Sequence, residues 1–290
     1  MDPVAALVRI LLLPSAIAAA AALLARLASR RGNLVARPIL RGALLAIGTA
    51  AAFSAALWSL EVRPSLPLAS FEDAWHWVFW FAVVGAMLGI AGSFGPRSRP
   101  LRFLLQASVG GALSFLIVRM FGSIAAGEAV LRAAVASVAA ASLWTAIEVR
   151  AARDDRGFAV LPLVVAMLAA AGTMHRSGGF LHMALATGAL ATCVGVTSLL
   201  SRFRGGAGVP AAVAPVVALA FAGLLLGAHA HSNFGDVVGF PLATALLLAA
   251  SATCVALPRR GLALTASVVL ALAAALVAAR LGTTSNQWGE

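Results

Sequence analysis

The chain has 290 residues, of which 62% are hydrophobic and only 11% are charged. A soluble domain of this size could not bury so much apolar surface in one core, so the composition excludes an ordinary soluble protein. The formal net charge is +11 and every basic residue is arginine. Because these arginines collect in short loops between apolar stretches, the charge indicates membrane orientation and argues against nucleic-acid binding.

Apolar stretches long enough to cross a bilayer follow one another along the whole chain. A membrane-spanning helix needs about 20 apolar residues, and only helices or a closed barrel satisfy the backbone in lipid. The apolar runs are continuous rather than alternating, which predicts an all-α, polytopic transmembrane bundle in a single domain, residues 1–290. The ten predicted spans are 5–27, 39–60, 75–95, 102–121, 126–148, 157–174, 179–201, 209–229, 238–257 and 261–281.

Small residues recur at four-residue or similar spacing in the second and third predicted spans. Gly42, Ala46 and Ala50 form one such series, and Gly85, Gly89 and Gly92 form another. Small side chains allow helix backbones to approach closely in a membrane. The two series therefore predict close helix contacts.

Arginine alternates between the two sides of the predicted bundle. Fifteen arginines and three acidic residues lie in the loops after the odd-numbered spans, whereas the other side holds six arginines and seven acidic residues. Arginine marks the cytoplasmic loops of membrane proteins. The count predicts that both termini lie outside the membrane, which we expect to be a bacterial cytoplasmic membrane.

Ten spans also divide into two halves of five. An odd number of helices per half forces inverted topology, as in many secondary transporters. Leu13-Pro14 and Leu161-Pro162 occupy matching spans of the two halves. In length and span number the architecture is similar to that of the drug/metabolite transporter superfamily, which implies a transporter, although members of that family usually keep both termini inside.

The candidate substrate or gate residues are Glu128, Arg132 and Pro215. Glu128 and Arg132 lie four residues apart near the outer end of the fifth span, where they either gate a pathway or simply neutralise each other. Pro215 lies inside the eighth span, where a proline either frees a carbonyl for a ligand site or produces a packing kink. No ionisable residue lies at the centre of any predicted span.

All five histidines map to the outer side of the predicted bundle. Imidazole binds zinc and copper, and thioether selects Cu(I). No cofactor is required by the sequence, but a copper or zinc site at the outer face is one hypothesis, with a carboxylate orienting a ring nitrogen. The alternative is histidine capping helix ends at the interface. The residues of this hypothesis are Met174, His175, His182, Met183, His229, His231 and Asp236.

These observations favour a transporter or permease for a small solute. A non-catalytic structural subunit of a larger membrane complex is the first alternative, and a metal- or haem-binding membrane protein using the outer histidines and methionines is the second. Besides lipid, further copies of the chain or other membrane subunits are the expected partners. An enzyme is disfavoured, because the sequence has no Ser/His/Asp set in a supporting context, no HExxH motif and no paired intramembrane carboxylates.

Overall fold

The structure, a computed structural model, describes residues 3–31, 36–60, 76–92, 98–121, 126–153, 161–178, 181–202 and 211–231, together with residues 265, 269, 272, 273 and 276. Within these ranges the fold is all-helical. The α-helices are α1 (Pro3–Arg31), α2 (Ala36–Ser59), α3 (His76–Ala91), α4 (Arg99–Phe121), α5 (Ala126–Arg153), α6 (Leu161–Gly178), α7 (Leu181–Arg202) and α8 (Ala214–His231), and a 3-10 turn (Ala211–Val213) leads into α8.

The helices match the first eight predicted spans. Helix ends differ from the predicted bounds by at most five residues, at the end of α5 and the start of α8, and α6 begins and ends four residues later than its predicted span. The predicted ninth span, 238–257, lies outside the described residues, and the tenth, 261–281, is described only at single positions. The prediction of an all-α fold is confirmed.

The described chain includes four helices that are long and apolar enough to cross a membrane, and these indicate a membrane protein. They cover Ile10–Ala28, Ile39–Ser59, Ala129–Val149 and His182–Leu200. The outward faces of these and neighbouring helices carry exposed leucines, including Leu12, Leu104 and Leu131. Large apolar surfaces on the outside of a protein mark contact with a partner or a membrane, so lipid is the natural solvent for this surface.

Helix α8 lies at the centre of the bundle. Every residue from 213 to 227 is buried, and the helix contacts α2, α3, α4, α5, α6 and α7. Its sequence is apolar on all sides, and such a helix belongs in an interior rather than at a boundary. The other helices form sequential pairs around it: α1 packs on α2, α4 on α5 and α6 on α7.

The small residues bring helix backbones into close contact, as their spacing predicts. A Cβ atom on Gly85 would lie 2.6 Å from the Cα of Val216, and one on Gly89 would meet the backbone of Ala212. Gly42 also faces Ala212, at 3.1 Å from its Cβ. Helices α2 and α3 are thus anchored on the first turns of α8, and the predicted close contacts are confirmed at these glycines.

The same contacts show which helix ends lie together. Gly42 and Gly89 place the start of α2 and the end of α3 beside the start of α8. Arg102 joins the start of α4 to the end of α5 and to Gly92 after α3. All of these helix termini adjoin the arginine-rich loops. The structure therefore places together the termini that the arginine count assigns to one side of the membrane.

Candidate functional site

Helix α4 turns a polar stripe toward the rest of the bundle. Among its described side chains, over residues 100–116, the buried residues are Gln106, Gly110 and Ser114. Residues four apart lie on one face of a helix, so the three form a continuous stripe. The fully buried positions of α4 therefore hold an amide, a glycine and a hydroxyl, flanked by the partly buried Val109, Leu113 and Phe115, and this face packs against α5 and α8.

Gln106 is the polar centre of this stripe. Its side chain is 1% exposed. The Nε2 amide donates to Glu148 Oε2 at 3.3 Å, and its Oε1 accepts a hydrogen bond of 2.7 Å from Thr145 Oγ1. A buried amide is costly unless its hydrogen bonds are made, and here α5 supplies partners for both ends of the amide.

Glu148 on α5 collects three donors. Besides Gln106, its carboxylate accepts from Trp144 Nε1 at 2.8 Å and from the Arg102 guanidinium at 3.4 Å. Trp144 and Glu148 are four residues apart and share one face of α5. The carboxylate is 15% exposed and lies between the buried Gln106 amide and the more exposed Arg102 guanidinium.

Arg102 is the most solvent-exposed member of the network. Its guanidinium pairs with Glu148 and also donates to the backbone carbonyl of Gly92 at 3.3 Å, directly after α3. The arginine side chain is 38% exposed. An ion pair with that much exposure contributes only about 0.2–1 kcal/mol. It can therefore join α3, α4 and α5 without locking them together.

Polar groups continue inward from Gln106. Ser137 on α5 donates its hydroxyl to the Ala107 carbonyl of α4, and a Cβ on Gly111 would lie 3.1 Å from the Ser137 hydroxyl. Further along α4, Ser114 is buried, and its hydroxyl has no hydrogen-bond partner among the described residues. At 1.5 Å per residue, Ser114 lies about 18 Å along the helix from Arg102. The stripe thus runs from the half-exposed start of α4 into the bundle over about 18 Å.

The predicted outer gate is only partly described. Arg132 is half-buried on α5, whereas the side chain of Glu128 lies outside the described residues, so their pairing stays a prediction. Pro215 is buried and is the second residue of α8. In the first turn a proline removes no intrahelical hydrogen bond, so Pro215 is compatible with a straight start of α8. Among the described helices, α1 carries a proline in its interior, Pro14.

The predicted metal ligands are also only partly described. His182 is exposed at the start of α7, whereas the adjacent Met183 is buried in the hydrophobic core. The side chains of Met174, His175, His229 and His231, and all of Asp236, lie outside the described residues. Among the residues that the structure does describe, no three His, Cys, Asp or Glu groups could hold a metal together. The outer-face copper or zinc site therefore stays a prediction.

The polar network between α4 and α5 is not predicted from the sequence. Arg102 and Glu148 fall among the charges of arginine-rich loops, and Gln106 is not ionisable. The four-residue spacing from Arg102 to Gln106, Gly110 and Ser114 was the available signal. It marks one face of a helix whose other faces carry leucine, phenylalanine and valine.

No family model, curated protein or solved structure matches this chain. The candidate function therefore depends on the geometry described above. The fold defines the class, a helical membrane protein, and the polar stripe between α4 and α5 distinguishes it from an inert apolar bundle.

Proposed function

We propose that the protein is a multi-pass membrane transporter for a small solute that is uncharged or weakly polar, and that the solute passes along the polar stripe of α4 and α5. The observation that carries the proposal is the burial of Gln106, Gly110 and Ser114 as the inward face of α4. Polar side chains within a membrane bundle are costly and tend to mark functional positions. Small residues alone would serve close packing in a membrane, but this face also buries a glutamine amide and a serine hydroxyl that has no hydrogen-bond partner among the described residues.

The chemistry of the stripe indicates the class of solute. Below the ion pair it offers neutral groups: the Gln106 amide, the hydroxyls of Thr145, Ser137 and Ser114, and the Ala107 carbonyl. Such groups exchange hydrogen bonds with a solute that bears hydroxyl, amide or carbonyl groups. They supply no charge to offset the cost of moving an ion into a region of low dielectric constant.

The proposal includes the predicted topology. This topology has ten spans in two inverted halves, with both termini outside a bacterial cytoplasmic membrane. The arginine count supports the span number and the sides of the termini, and the meeting of arginine-flanked helix ends at one end of the bundle agrees with that alternation. Further copies of the chain or other membrane subunits are partners that this arrangement permits.

Water access to position 114 tests the proposed pathway. In a Cys193→Ala, Cys254→Ala background, Ser114→Cys should react with a membrane-impermeant, uncharged methanethiosulfonate glycoside, because a pathway for an uncharged solute must hydrate this buried position in part of its cycle. Ser108→Cys is the matched control, since Ser108 is an exposed residue on the outward face of the same helix and lipid should shield it. Failure of the Ser114→Cys thiol to react from either side of the membrane would overturn the pathway.

Solute flux tests the activity itself. Proteoliposomes should take up members of a panel of small polyols, amides and amino acids faster than protein-free vesicles. The Gln106→Leu variant should lower that flux, because it replaces the most buried polar group of the stripe by an apolar one. Absence of protein-dependent flux for the whole panel would count against the assignment.

A second candidate is a non-catalytic subunit of a larger membrane complex. The burial of α8 on all sides and the backbone contacts at Gly85 and Gly89 favour it, because they describe a tightly packed centre. Purification in a mild detergent distinguishes the two: a structural subunit co-purifies with stoichiometric partner chains, and a self-sufficient transporter retains flux without them.

A further inference from the structure

We propose that the Arg102–Glu148 ion pair is a gate that closes the polar stripe at the arginine-rich end of the bundle, with α4 as the element that moves. This inference rests on the proposed function, because a gate requires a pathway beneath it. The exposure of the three stacked side chains falls from 38% at Arg102 to 15% at Glu148 and 1% at Gln106. The ion pair therefore lies at the boundary between surroundings and interior, directly above the first buried group of the stripe.

The two partners of Arg102 belong to different helices. One is the Glu148 carboxylate near the end of α5, and the other is the Gly92 carbonyl directly after α3. Helix α3 is anchored on α8 by backbone contacts at Gly85 and Gly89, so Gly92 is a fixed point in the bundle. Arg102 consequently fastens the start of α4 to two elements that α4 must leave if it is to swing outward.

Helix α4 is suited to such a movement. Its outward residues Leu101, Leu104, Leu105 and Leu116 are exposed, so they face lipid in either position of the helix. Its fully buried positions are few and polar, and the apolar Val109, Leu113 and Phe115 beside them are only partly buried. Its hydrogen bonds to α5 are the kind that water or solute can replace. Opening the ion pair would expose Gln106 and then the groups below it, whereas α3 and α8 could remain in contact.

The Glu148 carboxylate connects the ion pair to the first buried group of the stripe. The same carboxylate accepts from Arg102 above and from Gln106 below. Separation of the arginine from the carboxylate therefore removes one of two restraints on the amide. Trp144, bonded to the other oxygen of the carboxylate, keeps Glu148 oriented when Arg102 leaves.

The rate at which the Ser114→Cys thiol reacts from the arginine-rich side tests the gate. Membrane vesicles of both orientations, carrying this substitution in the background that lacks both native cysteines, are treated with the same impermeant reagent. Arg102→Gln and Glu148→Gln should each raise the rate from that side by roughly fivefold, the factor expected for loss of a partly exposed ion pair. Arg102→Lys, which keeps the charge, should stay close to the parent rate.

Two further variants separate the gate from general loosening of the fold. Arg99→Gln removes the same charge from the first turn of the same helix and should leave the rate unchanged. The double variant Arg102→Gln, Glu148→Gln should react no faster than either single variant, because each substitution removes the same ion pair, whereas two substitutions that merely loosen the fold would add their effects.

The outcomes distinguish the gate from the pathway. If the Ser114→Cys thiol reacts but its rate is the same in Arg102→Gln, in Glu148→Gln and in the parent, the gate is overturned and the pathway stands. If that thiol does not react in any of these backgrounds, both are overturned. An increase that is confined to the ion-pair variants and does not grow further in the double variant supports the gate.

Discussion

At the scale of single residues, the arrangement around Gln106 separates two costs that are often confused. The amide is buried and bonded to Thr145 and Glu148. A hydrogen bond in a protein adds little net stability because water offers the same bond to the unfolded chain, whereas leaving a buried partner unsatisfied carries its full desolvation cost. Removal of the Gln106 amide alone should therefore lower the stability more than removal of the Gln106 amide and the Thr145 hydroxyl together.

Gln106→Leu should lower the stability by about 1 kcal/mol, because the half-buried Thr145 hydroxyl then loses its acceptor and the Glu148 carboxylate loses a donor. The double variant Gln106→Leu, Thr145→Val should recover part of this loss, since it removes both ends of the bond. Thermal unfolding of the two proteins in the same detergent, followed by tryptophan fluorescence, measures the difference. A double variant that is less stable than Gln106→Leu would show that the hydrogen bond is not what matters at this site.

At the scale of helices, glycine has opposite consequences at different places. A Cβ on Gly85 would lie 2.6 Å from Val216 Cα and 2.9 Å from the Pro215 carbonyl oxygen, both backbone atoms that cannot turn aside. Gly188 in α7 is a helical residue for which a Cβ would meet no atom of the described residues within 4 Å. The spacing of small residues in the sequence predicts such contacts in general but does not distinguish these two situations.

Gly85→Ala should therefore destabilise the protein by about 1–3 kcal/mol through overpacking of α3 against α8. Gly188→Ala should stabilise it by roughly 0.5–1 kcal/mol, because alanine restricts the unfolded chain and favours a helix. Melting temperatures of the two variants, compared with that of the parent, should move in opposite directions. Shifts of the same sign would contradict the assigned packing of α3 on α8.

The sequence predicts the elements better than their arrangement. Continuous apolar runs locate α1 to α8 because a lipid-facing helix must be apolar over its whole length. The apolar runs do not show that α8 is central, because in lipid a membrane helix is apolar on its inward and outward faces alike. A helix that is apolar on all sides is consistent with burial on all sides but is equally consistent with a lipid-facing span. The candidate site was missed for a related reason: Gln106 and Ser114 carry no charge, and their significance arises only when α5 brings Thr145 and Glu148 beside α4.

At the scale of the whole molecule, the charge distribution predicts which side of the membrane each helix end faces. The packing shows which ends lie together, and only the arginines indicate which side is the cytosol. The contacts of Gly42, Gly89 and Arg102 gather the starts of α2, α4 and α8 with the ends of α3 and α5. Those ends adjoin the loops that hold most of the arginines. An antiparallel bundle with this grouping needs each successive helix to cross to the other side, and arginine then decides which side is the cytosol.

Topology reporters determine the sides directly. An alkaline phosphatase fusion after Arg153, at the end of α5, should be inactive, because that loop is expected in the cytosol, and a green fluorescent protein fusion there should fluoresce. Fusions after His231, at the end of α8, should give the reverse pattern, since three further crossings separate the two points. If both positions report the same compartment, the alternation of arginine no longer describes this bundle, and the gate at Arg102 would have to be reassigned to an unknown side.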